Sequence, residues 1–577
     1  MATWKQALDH ARHHRLAWLQ LLALVAASGC DPSTPAGLFA PAEITELQKL
    51  AHPSGKPPPD SSNKYIGNPD AIALGKRFYF DPDFSGAETG LDMLGRPLST
   101  PGRAAIGERT KVSCNSCHDV SMGGSDHTMD PPGNRVSMGG GAYDVNGEQT
   151  INAAYNKIVY WNGRNDSLWS QIVAVEESFV SVAGSRLRVA WRIADAYRAD
   201  YQKVFADNPL PMELDSVTAQ KARLAADGTC LLDSTNQCPA TYCHVVTSSD
   251  GSMVCLPRYP LDARPGWAPV GYVSPCDWGS RDPLQPFGDA YDCMDLEDQR
   301  LMTRVLVNFA KAIAAYEYTL LTPDAPFDKW VDEGPNTSTR LSPSAARGAQ
   351  LFVGSAACKE CHSGPLLTDN LFHDIGVPQI GTYVPLVSDC PQGTLDSKGA
   401  PTKYQCDCVS DDKFQPMNCL PDGARDGIRK LEANKFRRDS LWSDDLVCAG
   451  HYTDHFATGY ATNHPDECDG MVKYYEYDYL TGSLTGQWKT PGLRNVELTG
   501  PYFHDGVFSD LHDVVKHYSN GGVATMGTPV GTVDEKIKKL NLTEGQINDV
   551  VEFLKTLTEP VDPAITSPPM LPASSNF

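Results

Sequence analysis

Two pentapeptides constrain this chain more than any other feature. Cys114-Asn-Ser-Cys117-His118 and Cys358-Lys-Glu-Cys361-His362 each place two thiols one helical turn apart, with an imidazole directly after the second. That spacing lets the sulfurs bond the two vinyl-derived carbons on one edge of a haem and sets the histidine beneath the iron as a proximal ligand. Chance at this composition gives roughly 0.01 such motifs per chain. Two are therefore not noise, and the competing reading, a redox Cys-x-x-Cys with an incidental histidine, is set aside. The sequence reads as a carrier of two covalently attached c-type haems with redox chemistry to perform.

The remaining bulk features bound where and how this happens. A chain of 577 residues is too long for one hydrophobic core, and 41% hydrophobic residues predict a packed protein. A net charge of −22 argues against nucleic acid, whose phosphates need Lys and Arg, and gives no support to binding at anionic lipid. Lys5, Arg12 and Arg15 precede a short apolar run, Leu16 to Ala27, which reads as an export signal. Ala27-Ser28-Gly29-Cys30 resembles a bacterial lipoprotein cleavage site, with Ala27 in place of the usual large aliphatic residue. The expectation is a signal peptide over 1–29, Cys30 as a lipid anchor and a tether over 30–63. This places the protein in the periplasm or cell envelope, with membrane contact only through that anchor.

The chain has 17 cysteines. Apart from Cys30 and the four motif cysteines, they fall into two clusters of six. One holds Cys230, Cys238, Cys243, Cys255, Cys276 and Cys293; the other holds Cys390, Cys406, Cys408, Cys419, Cys448 and Cys468. In an exported chain an even count predicts disulfides, three per cluster, with the pairing left open. Helical periodicity recurs at Leu187, Ala190, Ile193, Ala194 and Tyr197, and at Leu301, Val305, Phe309 and Ile313. Thr543-Glu-Gly-Gln546 reads as a capping box opening a last helix with Ile547, Val550, Val551 and Leu554 on its apolar face.

Several motifs then occur in a fixed order. They are Leu74-Gly-Lys-Arg-Phe-Tyr-Phe-Asp81-Pro82, Val112-Ser-Cys-Asn-Ser-Cys-His-Asp-Val-Ser-Met-Gly-Gly124 and Tyr160-Trp161-Asn-Gly-Arg164-Asn-Asp-Ser-Leu168. Ala357-Cys-Lys-Glu-Cys-His-Ser-Gly-Pro-Leu-Leu-Thr-Asp369, Phe372-His-Asp-Ile-Gly-Val-Pro378 and Gln487-Trp-Lys-Thr-Pro-Gly-Leu-Arg-Asn-Val-Glu-Leu-Thr-Gly-Pro-Tyr-Phe-His-Asp-Gly506 complete the series. In this order they resemble the bacterial dihaem cytochrome c peroxidase / MauG family, from about residue 65 to 560.

The resemblance implies an all-α fold of two cytochrome c-like domains with one haem each, over 64–335 and 336–562, and a tail over 563–577. Two cysteine-rich insertions, 210–295 and 380–480, interrupt the match and are expected to be loops with little regular structure. It also implies that His118 is proximal at a peroxide-reactive haem, His362 at an electron-relay haem, and that Trp161 lies between them. Peroxidases of this family place a Met fourteen residues after the histidine that here is His504; that position is Tyr518, as in MauG-type enzymes. A phenolate stabilises ferric and higher oxidation states where a thioether raises the potential. Met526 is the alternative ligand. At the reactive haem the family's distal Glu-Met pair is replaced by Ser181 and Val182, leaving Glu177, with Glu176 beside it, as the acid for proton transfer. Met138, with His127 upstream, is the nearest match to the distal ligand. A calcium ion between the domains would take the carbonyls of Thr499 and Pro501 and the side chain of Asn146. His373 and His504 are expected to pack or to contact haem propionates.

The function implied is oxidation driven by hydrogen peroxide. In one variant electrons come from a small redox protein; in the MauG-like variant, which Tyr518 favours, a residue of a partner protein is oxidised. The competing expectation is an electron-transfer protein with both irons saturated, through Met138. A weaker one is an oxygen-using dihaem dioxygenase.

Overall fold

A computed structural model describes residues 39–574, apart from 54–55, 94–96, 100–101, 128–135, 227, 248–250, 262–290, 292–293, 379, 382, 384–422, 446–483 and 524–530. The export signal, Cys30 and Met526 lie outside the described residues, as do Cys276, Cys293 and the whole second cysteine cluster. Helix dominates, with two short two-stranded antiparallel sheets among the described residues.

The first core is built on α2 (Pro69–Phe80), α3 (Leu168–Glu176), α4 (Arg186–Ala196) and the long α5 (Leu296–Glu317); α1 (Pro41–Leu50) packs elsewhere. Asn68 caps α2 by accepting from the amides of Asp70 and Ala71, and Pro69 supplies a preset φ at its first position. One face of α2, with Leu74 and Phe78, is buried against Phe309 and Ile313 of α5. Closeness is set by Gly75. A Cβ there would stand 1.8 Å from the Ala312 carbonyl oxygen, so only glycine lets these helices touch. The periodic residues of α4 are buried as the 3.6-residue pattern requires, but Leu301, near the start of α5, is 37% exposed because Asp298, Met302 and Val305 carry the buried face of that stretch.

The second core repeats the device. Here α7 (Pro343–Val353) crosses α10 (Glu544–Lys555), and a Cβ on Gly348 would stand 1.9 Å from the Asp549 carbonyl oxygen. Thr543 and Gln546 exchange bonds with each other's backbone amides, so the capping box opens α10 as its sequence indicates. Ile547, Val550 and Leu554 are buried and Val551 is partly so. α6 (Pro326–Glu333) joins this core through Phe327 and Trp330. Asp328 of α6 forms a bidentate pair with Arg494, whose guanidinium also donates to the Leu50 and Pro365 carbonyls. α9 (Leu511–Ser519) lies against α10.

Four expectations change. Residues 39–51 are not tether: α1 buries Leu47 and Leu50 in the second core, beside Phe39, because their spacing gives it an apolar face. The boundary between the cores falls between Leu320 and Phe327, about ten residues earlier than 335/336, since α6 needs the second core to bury Trp330. The tail crosses back to the first core. Short α11 (Pro563–Thr566) leads to Ile565 and Leu571 packing there, and the Ala573 carbonyl accepts from Arg192.

Finally, the insertions carry regular structure. The first forms a hairpin, β1 (Cys243–Thr247) with β2 (Met253–Pro257), stapled by Cys230–Cys243 and Cys238–Cys255. Tyr259 and Arg258 anchor it on Asp298 of α5. The second contains α8 (Ala424–Ala433), followed by Phe436 and Trp442 against the first core. Local Pro, Gly and Asp content does not reveal that these segments find apolar partners far away in sequence.

Gly75→Ala is expected to destabilise the protein by about 1–3 kcal/mol, because the methyl meets backbone rather than a yielding side chain. Gly545→Ala, in the open first turn of α10, should be neutral or stabilising. Denaturant midpoints of the two variants check this pair; equal midpoints would refute the crossing argument.

Candidate functional site

Each Cys-x-x-Cys-His segment makes a tight turn that presents its sulfurs and ring together. Cys114–Cys117 is a single helical turn opened by Ser113 and Ser116; Cys358–Glu360 is a 3₁₀ turn. His118 Nδ1 lies 3.3 Å from the Gly124 carbonyl oxygen, and His362 Nδ1 lies 3.0 Å from that of Leu367. A carbonyl can only accept, so Nδ1 carries the hydrogen in both and Nε2 keeps its lone pair. Burial lowers both imidazole pKa values, which keeps them neutral. Burial likewise raises the Cys114, Cys117 and Cys358 thiols, Cys117 and Cys358 to about 12. Neutral rings with a bare Nε2, each beside two free thiols, fit covalent haem with axial histidine.

A cavity of about 580 Å³ opens on Cys358, Cys361 and His362, within the range of cofactor-sized sites. Tyr518, on α9, lines it. Among the described residues its hydroxyl makes no hydrogen bond, and burial raises its pKa. The phenol is thus a neutral, uncommitted oxygen facing the same space as His362.

Trp161 lines this cavity from the first core, so the two cores meet there. Its Nε1 donates to the Asn146 carbonyl at 2.9 Å, and its own carbonyl accepts from the Lys489 amide at 2.8 Å. The Asn146 amide donates to the His504 carbonyl at 2.6 Å. Lys489 belongs to β4 (Trp488–Lys489), paired with β3 (Phe372–His373). Its Nζ meets Glu148 at 2.9 Å. α8 clamps the outside of the Trp161 turn: a Cβ on Gly427 would stand 1.6 Å from the Asn162 carbonyl oxygen. The sequence does carry a signal for this helix, Ala424, Ile428 and Leu431 at helical spacing, within a segment expected to be loop.

The other expected residues divide. Glu177 is corrected. Its carboxylate is bound by Arg186 through Nε at 2.8 Å and Nη2 at 2.6 Å and by the Arg186 amide, so it anchors the start of α4 and is not free to move protons. Glu176 is the uncommitted acid. It is buried, its Oε1 has no hydrogen-bond partner, and burial, followed by the charge of Glu177, raises its pKa. Met138 reaches the first motif through its carbonyl, 3.8 Å from Cys117 Sγ, while its side chain packs with Val136, Ala142 and Tyr383. His127 bonds the Met122 carbonyl.

Asn146, Thr499 and Pro501 do converge. However, Asn146 turns its Nδ2 to the Pro501 carbonyl at 2.6 Å and its Oδ1 to the Gly147 amide at 2.9 Å. These donors and acceptors satisfy each other, and this arrangement does not fit a calcium ion, which needs free oxygens.

Residues 69–226 match the family described as di-haem cytochrome c peroxidase. A methylamine utilization protein MauG of Methylorubrum extorquens is 23% identical over 506 residues, covering 87% of this chain and 82% of that protein. The chain is thus similar to di-haem cytochrome c peroxidases and MauG proteins, with the family match lying over residues 69–226. A cytochrome-c peroxidase of Denitromonas iodatirespirans is 29% identical over 265 residues, 45% of this chain and 52% of that relative, so the match spans about half its length. Among solved structures, the diheme peroxidase BthA of Burkholderia thailandensis aligns with a TM-score of 0.44 and 17% identity, covering 88% of this chain and 91% of that one. Members of the family are oxidoreductases with two c-type haems. Among the described residues no helix is long and apolar enough to cross a membrane.

His373, in a family motif, was missed as an electrostatic element. Its Nδ1 lies 2.6 Å from Asp534 and its Nε2 2.9 Å from Asp369. Burial pulls its pKa down, but Asp369, Cys361 and Asp534 outweigh it and raise it from 6.5 to about 10. Cys361 contributes only as a free thiol, so the carboxylates are what persists in the haem protein.

A raised folded-state pKa means the stabilisation is fully present below the unfolded value and is lost as pH rises through the folded one. The stability gap between wild type and His373→Gln should therefore be full just below pH 6.5 and close as pH rises into the alkaline range. Denaturant titrations across that range measure it, and a gap independent of pH would refute the charged cage. A second expectation concerns loading: replacing Cys358 and Cys361 together by Ala should leave one covalent haem per chain, read by haem-stained gels and pyridine haemochrome.

Proposed function

We propose that this chain is an extracytoplasmic dihaem oxidoreductase that uses hydrogen peroxide as oxidant and, in the MauG manner, oxidises a residue on a partner protein. The observation that carries the reading is Tyr518. An unbonded phenol oxygen shares the cavity of the second haem motif with His362. The haems, when bound, supply the redox equivalents and the site at which peroxide is reduced.

Each protein group then has a definite task within two cytochrome c-like domains. His118 would hold the peroxide-reactive haem and His362 the relay haem, each ring kept in one tautomer by its carbonyl. Tyr518, buried and neutral in the protein alone, would offer its phenol oxygen to the same haem from the wall of the cavity that it shares with His362. Trp161 spans the junction as an electron relay, its indole fixed by Asn146. Glu176 replaces Glu177 as the acid for breaking the O–O bond, because it is the one of the two without an ion-pair partner. A small redox protein as electron donor is the alternative partner.

Stopped-flow absorption of the diferric protein with one equivalent of peroxide tests this. A long-lived oxidised species is expected in wild type and should be lost in Tyr518→Phe. An unchanged Soret band, even after one-electron reduction, would reduce the protein to an electron carrier.

A further inference from the structure

Trp488 has no role in the reading above, yet its surroundings are unusual. Its indole stacks on the His504 imidazole with centroids 3.9 Å apart and planes 13° from parallel. The two rings are 8% and 2% exposed, and both line the cavity that holds Cys358, Cys361, His362 and Tyr518. Burial drives the His504 pKa down to about 3, so this ring is neutral at ordinary pH. A neutral π-face beside an indole accommodates a positive charge on that indole, whereas an imidazolium would repel it. The nearest fixed cation on the strand, Lys489 Nζ, is compensated by Glu148 at 2.9 Å.

The position is also right. The Lys489 amide, directly after Trp488, donates to the Trp161 carbonyl at 2.8 Å, so the two tryptophans sit on touching backbones, one from each core. Trp161 Nε1 donates to the Asn146 carbonyl at 2.9 Å, and the Asn146 amide donates to the carbonyl of His504, the ring on which Trp488 lies. Neither indole has a basic acceptor among the described residues: Trp161 faces a peptide carbonyl, and Trp488 Nε1 makes no hydrogen bond. Each would keep its N–H proton on losing an electron, which makes the loss reversible.

We propose that Trp488, stacked on His504, is a second one-electron relay acting in series with Trp161 across the junction of the two cores. This deepens the peroxide reading and rests on it. Peroxide takes two electrons and two protons and leaves as two waters. One electron is drawn from the Trp488 indole, which becomes a radical cation with its proton in place, and the other from the haem pair. Protons come from solvent, and a partner residue, which is thereby oxidised by two electrons, or a reduced redox protein returns both electrons.

The experiment uses the dihaem protein and peroxide without any electron donor, read by freeze-quench electron paramagnetic resonance in wild type and Trp488→Phe. Peptide mass mapping of wild type held in excess peroxide is the second readout. Trp488→Phe should lose at least half of the tryptophan-type radical signal, with its resting Soret spectrum unchanged, and mapping should find oxygen added to Trp488 despite its burial. An undiminished radical in Trp488→Phe, or oxidation at Trp161 with Trp488 intact, would overturn the relay while leaving the peroxide reading standing. If wild type shows no response to peroxide at all, both fall. Should Trp488→Phe not load haem, the mass map of wild type decides alone.

Discussion

Everything at the centre of this molecule depends on two hydrogen bonds that fix imidazole tautomers. His118 to the Gly124 carbonyl and His362 to the Leu367 carbonyl put the hydrogen on Nδ1 and leave Nε2 as the lone-pair nitrogen of both rings. A carbonyl can do this only if its loop is immobile, and the loops are braced by the helix pairs beneath them. Tyr79 of α2, for instance, bonds the His118 carbonyl at 2.7 Å. Those helix pairs come within contact because Gly75 and Gly348 carry no Cβ. A chain of causes thus runs from two hydrogens in place of methyl groups to the orientation of two ring nitrogens.

The second organising feature is the seam between the cores. It is stitched by two backbone hydrogen bonds, from the Lys489 amide to the Trp161 carbonyl and from the Asn146 amide to the His504 carbonyl, while the Trp161 indole ties itself to the Asn146 carbonyl on its own side. Backbone stitching fixes the seam regardless of side-chain rotamers, which suits a junction whose aromatic rings must keep their spacing. The insertion helix α8 closes the outside of this seam through Ile428 and Leu431, which pack with Ile158 and Phe372. A segment that interrupts the family pattern is in this way part of the wall around the site. The stapled hairpin of the first insertion sits farther off, on Asp298 and Trp191.

Charge placement separates the residues that hold from those free to react. Glu177 and Asp328 are each locked by an arginine, so their charge is spent on architecture. Glu176 and Glu317 are buried without such partners, and burial raises Glu317 to about 8. Adjacent glutamates with identical side chains therefore differ in their partners because α4 begins where Glu177 can reach Arg186.

The two haem motifs, the capping box before α10 and the apolar face of α4 were legible in the sequence, because each is a spacing along one segment. Local spacing is a property of covalent geometry and helical pitch, and a chain shows it without folding. What depended on tertiary structure was which of two neighbouring acids is free, that residues 41–50 form part of the second core, that α8 walls the Trp161 turn, and that Trp488 lies flat on His504. Each of these is a contact between residues distant in sequence, and burial and partner choice are fixed only when the helices cross. The sequence by itself determined that the chain would bind haem twice; the packing of two cores against each other decided which side chains face the space between.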